Sequence, residues 1–236
     1  MARESAPAPG GARPRWLLEP SPAFPFGGIG YALIEGRTLT EADVAGPHRA
    51  RFAERIAAFN LALHRLPVEE ARALGVPDGR AGARTPHELD RAVARVVLSG
   101  AELAAIEAWW DGFFARFDAR EYAPVFVHSD VNEENLLVAL DGTNLVGVID
   151  FEHCAVGDPF DDFYNLQYLG RDFYHEAIAA YARLGGPSLA DLDGYLELRW
   201  QRGAFPGIRR AWQRGDPIEA VAIRARLRRY CVPFTA

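Results

Sequence analysis

Val127–Asp162, VHSDVNEENLLVALDGTNLVGVIDFEHCAVGDPFDD, is the stretch that decides how this chain is read. Asp130 stands five residues before the side-chain amide of Asn135, and a second carboxylate, Asp150, closes an apolar run. VFV at 125–127 and LLVAL at 136–140 are apolar runs of strand length, so the polar segment 128–135 between them is a loop. Asp141-Gly142 supplies a tight turn, completed by Thr143 and Asn144, and LVGVI at 145–149 returns as the next strand. Such a hairpin delivers Asn135 and Asp150 to one end of a small sheet with Asp130 beside them. Hard oxygen donors of this kind favour magnesium, which takes one or two protein carboxylates plus substrate phosphates. Asp130 is then left to accept a hydroxyl proton.

HSDVNEEN fits the pattern H-x-D-x-x-x-x-N, and IDFE is followed by GDPFDD. In both segments the chain resembles the aminoglycoside phosphotransferase and choline kinase-like family, over roughly residues 24–200. The resemblance implies an α+β, protein-kinase-like fold, mainly its helical C-lobe, with a small β-hairpin carrying the catalytic and metal-binding loops. It also implies a small-molecule kinase that moves the terminal phosphate of ATP or GTP to a substrate hydroxyl. Carried over by position, Asp130 is the catalytic base, Asn135 and Asp150 hold Mg2+, and His128 and Asp162 support the catalytic loop. Glu152 falls at a position often acidic in the family, an outer-shell metal role, and Glu134 is a candidate contact for a cationic substrate. Ser129 stands where the family most often has Gly.

Composition narrows the partners. The net charge of −6 argues against non-specific nucleic-acid binding and is compatible with a cationic or neutral substrate, an amine-bearing hydroxyl acceptor among them. Two cysteines, Cys154 and Cys231, are too few for a disulfide framework, which makes a reducing cytoplasm the expected location. No apolar run approaches a membrane span, and the N-terminus lacks a signal-peptide core. His153 and Cys154 follow Asp150 closely, but neither C-x-x-C nor H-E-x-x-H spacing supports zinc. All 26 basic residues are Arg. The family's phosphate-holding lysine therefore has no counterpart in these residues, and Arg, with its planar fork, is no simple substitute.

Residues 1–23, rich in Ala, Pro, Gly and Arg, show no strand alternation and are expected to form a flexible arm. Residues 24–40 are expected to be a hinge-like strand remnant, with GGIG as a turn entering a strand over 31–34. A G-x-G-x-x-G from Gly28 fails at Leu33. EGRTL at 35–39 resembles the family's segment just after the hinge, where Gly36 permits a change of direction. By that alignment the nucleotide-roofing strands would precede Phe24, where the arm is expected.

Residues 41–236 are expected to form the helical C-lobe. Phe52, Ile56, Phe59, Leu63 and Leu66 make one apolar stripe beginning after Pro47, and His64 within it is expected to be a packed, hydrogen-bonded residue. The Gly-rich segment 78–84 reads as a loop. Thr85-Pro-His-Glu88 and Ser99-Gly-Ala-Glu102 both fit capping boxes that start helices. The second helix carries Leu103, Ile106, Trp110, Phe113 and Phe117 on one face. Further helices are expected over 163–169, 173–184 and 189–202. Asp172, Glu176, Asp191, Asp193 and Glu197 on them are candidate amine contacts, although helix acids usually face water. RARLRR at 224–229 reads as a basic face that pairs with the body of the chain.

Two other functions fit parts of this pattern. A catalytically silent binding module is favoured by the missing lysine and glycine-rich loop, and opposed by the joint presence of Asp130, Asn135 and Asp150. A metal-dependent phosphohydrolase would use the same acids. No pattern in the sequence specifies the acceptor, the choice of ATP or GTP, or the oligomeric state.

Overall fold

The computed structural model describes residues 10–11, 14–98, 100–187, 189, 192–203, 205–215 and 225. In order along the chain come β1 (Gly10–Gly11), β2 (Pro14–Leu18), β3 (Gly28–Tyr31), β4 (Arg37–Thr38), α1 (Glu41–Val44), α2 (Arg49–His64), α3 (Val68–Ala73), α4 (Gly79–Val97) and α5 (Gly100–Ala119). Then follow β5 (Val125–Val127), β6 (Leu136–Val138), β7 (Leu145–Val148), β8 (Ala155–Gly157), two 3-10 turns (Pro159–Asp162 and Tyr164–Leu169), α6 (Arg171–Arg183), α7 (Leu192–Arg202) and α8 (Phe205–Arg214). Helix and strand are mixed as expected. The chain divides into two compact units, Met1–Pro77 with Pro124–Leu189 and Asp78–Ala123 with Ala190–Ala236, so the stretch read as one C-lobe over 41–236 is shared between them.

The first unit is built on the hairpin that the sequence announces. β6 and β7 pair antiparallel with Leu136 opposite Val148, and an irregularity between Leu137 and Val138 admits the connection. Gly142, at φ 70°, donates its N–H to Ala139 O, while Asp141 Oδ1 accepts from Thr143 N, so each turn residue does the job its chemistry allows. β4 joins the outer edge of β6, and β1 lies parallel to β7, giving the order β1-β7-β6-β4. β5 and β8 form a separate ladder with Val127 opposite Ala155. Helix α2 packs against α6 and β5, and its Phe52, Ile56, Phe59 and Leu63 are all buried. Leu66, expected in that stripe, lies beyond the helix end and is exposed.

Pro14–Leu18 corrects the expectation of an arm without strands over residues 1–23. It pairs antiparallel with Gly28–Tyr31, Leu18 opposite Gly28, and the second strand therefore ends where it was expected to begin. The alternation test misses this ladder because its apolar residues face water on both strands: Trp16, Leu17, Ile29 and Tyr31 are all exposed. Gly27 makes the return feasible, having φ 66° and standing where a Cβ would lie 2.6 Å from Leu18 O. Gly36 serves differently from the expected change of direction. A Cβ there would lie 2.6 Å from Val138 O, so its absence lets the chain run close against β6.

In the second unit the expected loop over 78–84 is the first two turns of α4. Asp78 caps this helix by accepting from Ala81 N at 2.8 Å, and Arg84 binds both oxygens of Asp118 at 2.6 Å while lying over the Phe114 ring. These contacts outweigh the poor helix propensity of Gly79 and Gly82. Thr85–Glu88 thus lies inside α4, with Pro86 in the helix, and starts nothing. Ser99, Asp191 and most of 224–229 lie outside the described residues. Trp109, Trp110, Phe113 and Phe117 of α5 form the buried core with Phe205 of α8. Residues 163–169 are 3-10 rather than α, and the helix expected over 189–202 is described from Leu192.

Candidate functional site

The polar loop between β5 and β6 is held from below by one buried carboxylate. Asp162, in the 3-10 turn that follows β8, is fully buried. Its Oδ1 accepts from Ser129 N at 2.7 Å, and its Oδ2 accepts from His128 N at 3.2 Å and from His64 Nε2 at 2.9 Å. A carboxylate only accepts, so the proton between them sits on His64 Nε2, and in the neutral ring Nδ1 accepts from Tyr181 O–H at 2.7 Å. Burial first, and then the Asp162 charge, push the Tyr181 hydroxyl up to about 12, which keeps it a donor. Asn60 Nδ2 donates to Asp162 O, tying α2 to the same residue. His64 is thus the packed, hydrogen-bonded residue expected of it.

The brace explains the local backbone. Ser129 has φ 66°, a left-handed conformation that glycine adopts without cost and that strains an L residue by ~1 kcal/mol. The Asp162 bond to Ser129 N holds the residue there. The next residue, Asp130, is turned into the site, and His128 secures the rest of the loop. The His128 Nε2–H donates to Ile149 O at 2.9 Å, its Nδ1 accepts from Asp130 N, and its ring packs on Phe151 at 4.5 Å.

Three side-chain amides converge on Asp130. Its Oδ1 accepts from Asn132 Nδ2 at 2.9 Å and Asn165 Nδ2 at 3.1 Å, and its Oδ2 accepts from Asn135 Nδ2 at 2.9 Å. Two donors occupy the lone pairs of Oδ1, and one pair remains on Oδ2. Asn132 closes the loop from inside, its Oδ1 accepting from the N–H groups of Glu134 and Asn135. With Nδ2 committed to Asp130, Asn135 presents its oxygen elsewhere. Ile149 N donates to Asn135 O at 3.1 Å, which continues the β6–β7 ladder by one step and brings Asp150 out beside Asn135. Asp150 is exposed and also left-handed, at φ 64°.

The structure therefore unites His128, Asp130, Asn135 and Asp162 in one hydrogen-bonded cluster and reaches Asp150 through the strand ladder. Glu134 and Glu152 are exposed, and among the described residues no hydrogen bond joins their side chains to that cluster. Glu152 instead faces His153, its carboxylate 3.4 Å from Nε2. Burial pushes the Cys154 thiol up, which disfavours the thiolate a transition metal would need. Among the described residues no group of three His, Cys, Asp or Glu could hold a metal. The donor set fits an ion that needs two protein oxygens, here Asn135 Oδ1 and the Asp150 carboxylate, with phosphate and water completing its shell.

Sequence reasoning missed Asn132, Asn165, Asn60 and Tyr181. Asn132 had a local signal, since Asn commonly accepts from N–H groups two and three residues on. Asn165 and Tyr181 lie 35 and 117 residues from their partners, and only folding brings them in.

The model of the phosphotransferase enzyme family matches residues 14–200. Among solved structures, the GDP and kanamycin complex of APH(2")-IIia aligns with a TM-score of 0.75 at 20% identity, covering 94% of this chain and 75% of that one. The apoenzyme of macrolide 2'-phosphotransferase MphH from Brachybacterium faecium aligns at 0.67 and 20% identity, over 93% and 73%. ADP-bound aminoglycoside phosphotransferase APH(2'')-Ib aligns at 0.70 and 19%, over 89% and 73%. No curated protein matches by sequence. Among the described residues no helix is long and apolar enough to cross a membrane. The fold is that of the kinase-like phosphotransferases, and with the family matched across most of its length this chain belongs to the phosphotransferase enzyme family.

Proposed function

We propose that this protein transfers the terminal phosphate of a nucleoside triphosphate to a hydroxyl of a small-molecule acceptor. The observation that carries the proposal is the Asp130 carboxylate, aimed by three amides and left with one lone pair on Oδ2. In this scheme the acceptor hydroxyl donates its hydrogen bond to that oxygen, which receives the proton as the hydroxyl oxygen attacks the terminal phosphorus and the nucleoside diphosphate leaves. Asn132 and Asn165 keep Oδ1 occupied and so fix the plane of the carboxylate. Asn135 serves twice, aiming Asp130 with its nitrogen and offering its oxygen to magnesium together with Asp150. A magnesium ion bound there would neutralise charge on the phosphates. Asp162, through Ser129 and His128, fixes where the loop stands.

The nucleotide complexes of APH(2")-IIia, with GDP, and APH(2'')-Ib, with ADP, support a nucleotide donor. The kanamycin complex and the macrolide 2'-phosphotransferase support an acceptor of antibiotic size. Radiolabelled ATP and GTP, offered with kanamycin, gentamicin and a macrolide, test the proposal. Magnesium-dependent labelling of an acceptor that Asp130→Asn lowers by on the order of a thousandfold is the expected result. Labelling unchanged by that substitution would overturn it. A catalytically silent kinase-like binding module is the alternative that the absence of lysine favours. It predicts no transfer to any acceptor. A phosphohydrolase would release phosphate with no acceptor present.

A further inference from the structure

The second unit contains a cavity of ≈ 470 Å³ between α5 and α7 that the phosphotransfer scheme does not use. Ala108, Trp109, Phe113 and Leu198 supply apolar wall, and the polar residues lining it are Glu197 and Arg116. The volume falls in the range of small-molecule sites. Two features show how the cavity is shaped. Gly112 stands in the middle of the twenty-residue α5, where glycine is the least favoured residue after proline, and a Cβ built on it meets nothing within 4 Å. Neither backbone conformation nor close packing requires glycine there, and its missing side chain keeps the wall open.

The second feature is the setting of Glu197. Trp109 Nε1 donates to Gln201 Oε1 at 2.8 Å, and Gln201 Nε2 donates to Glu197 Oε1 at 3.1 Å. Gln201 is 1% exposed and Glu197 half-buried, and the bond from Gln201 steadies one carboxylate oxygen while the other can accept from a ligand. Arg116 is exposed and has an interaction of its own. Trp109 and Phe113 stack on each other between Phe205 and Phe117, so they turn ring edges to the cavity, and an apolar wall carrying one steadied carboxylate has the chemistry of an amine site.

We propose that this cavity binds a small molecule with an apolar body and one cationic amine, the amine on Glu197 and the body against Ala108, Leu198 and the edges of Trp109 and Phe113. The assignment does not depend on phosphotransfer, because binding to the intact chain is its direct readout. The probe is 4-phenylbutylamine, with 4-phenylbutanol as its uncharged counterpart, each titrated calorimetrically. Tighter binding of the amine is expected. Glu197→Gln, which keeps the Gln201 contact possible and removes the charge, should weaken the amine by on the order of tenfold and leave the alcohol unchanged. Gly112→Leu, which fills open space, should abolish binding of both, and Gly112→Ala should weaken them while folding at least as well as the parent. Equal affinity for amine and alcohol would overturn the assignment of Glu197. No binding of either, or binding that survives Gly112→Leu in a variant with unchanged thermal unfolding, would overturn the site.

Discussion

Replacing Asp162 by Asn keeps the shape of the side chain and removes its charge, which makes it the sharpest probe of the brace beneath the catalytic loop. Three donors face the carboxylate: Ser129 N on Oδ1, and His128 N with His64 Nε2 on Oδ2. An amide has one oxygen. Its better orientation keeps that oxygen toward His128 and His64 and turns the NH2 against Ser129 N–H, so the shortest bond is lost and two donors confront each other in a fully buried place. A charge-assisted hydrogen bond contributes about 1.5–3 kcal/mol, and leaving its buried partner unpaired adds to the loss. The expected destabilisation is therefore about 2–4 kcal/mol, a large share of the 5–15 kcal/mol typical of a folded domain. The Ser129 bond holds a left-handed residue next to Asp130, so activity should fall as well, by on the order of a hundredfold if the carboxylate shifts by about 1 Å. Urea unfolding followed by tryptophan fluorescence gives the stability loss. Combined with His64→Leu, the same measurement gives a coupling energy, expected to be about 1 kcal/mol or more because the two side chains share a bond. An Asn variant within about 0.5 kcal/mol of the parent, or additive effects of the two substitutions, would refute the brace.

Three further outcomes follow from the same geometry. Asn165→Leu removes one of the two donors on Asp130 Oδ1 without touching the loop backbone; kcat should fall by on the order of tenfold with KM for the nucleotide unchanged, and equal kcat would show that Asn165 does not aim the carboxylate. Ser129→Gly relieves the strain at φ 66° and should stabilise the fold by ~0.5–1 kcal/mol in thermal or urea unfolding with activity retained, whereas a destabilised variant would show that the hydroxyl matters more than the backbone. His87, packed among Trp110, Phe113 and Phe117, is pushed down to about 2, first by burial and then by the arginines around it, Arg202 foremost. Its folded value lies below the unfolded one of about 6.5, so the unfolded chain alone takes up this proton as pH falls from about 6.5 toward 2. Stability should therefore decline over that window by up to about 1.4 kcal/mol per pH unit, and His87→Phe should remove that slope in urea titrations at pH 7.5, 6 and 5. The same pH dependence in both proteins would refute it.

Much of the site is written locally. The spacing of His128, Asp130 and Asn135, the Asp141-Gly142 turn and the apolar runs around it determine a loop and a two-stranded ladder, because a tight turn and a period of two leave little freedom in register. The resemblance of the two motifs to a phosphotransferase family rests on the same residues. Even the positive φ at Ser129 has a sequence trace, in the glycine commonest at that place. Other features had no such trace. Pro14–Leu18 gave no strand signal because both faces of its hairpin are wet, and pattern reading depends on one face being buried. Residues 78–84 looked like a loop because glycine is a poor helix former, and became helix because Asp78 caps it and Arg84 is bound from α5.

What the sequence by itself determined is the order of chemical groups along one loop and one hairpin: a carboxylate, an amide and a carboxylate, at spacings that short-range geometry turns into a single edge. What only the tertiary structure decided is how that carboxylate is held. Asn165, His64, Tyr181 and Asn60 come from distant parts of the chain, and the directional bonds of Asn165 to Asp130, of His64 and Asn60 to Asp162 and of Tyr181 to His64 form only once folding has set their separations to within a few tenths of an ångström.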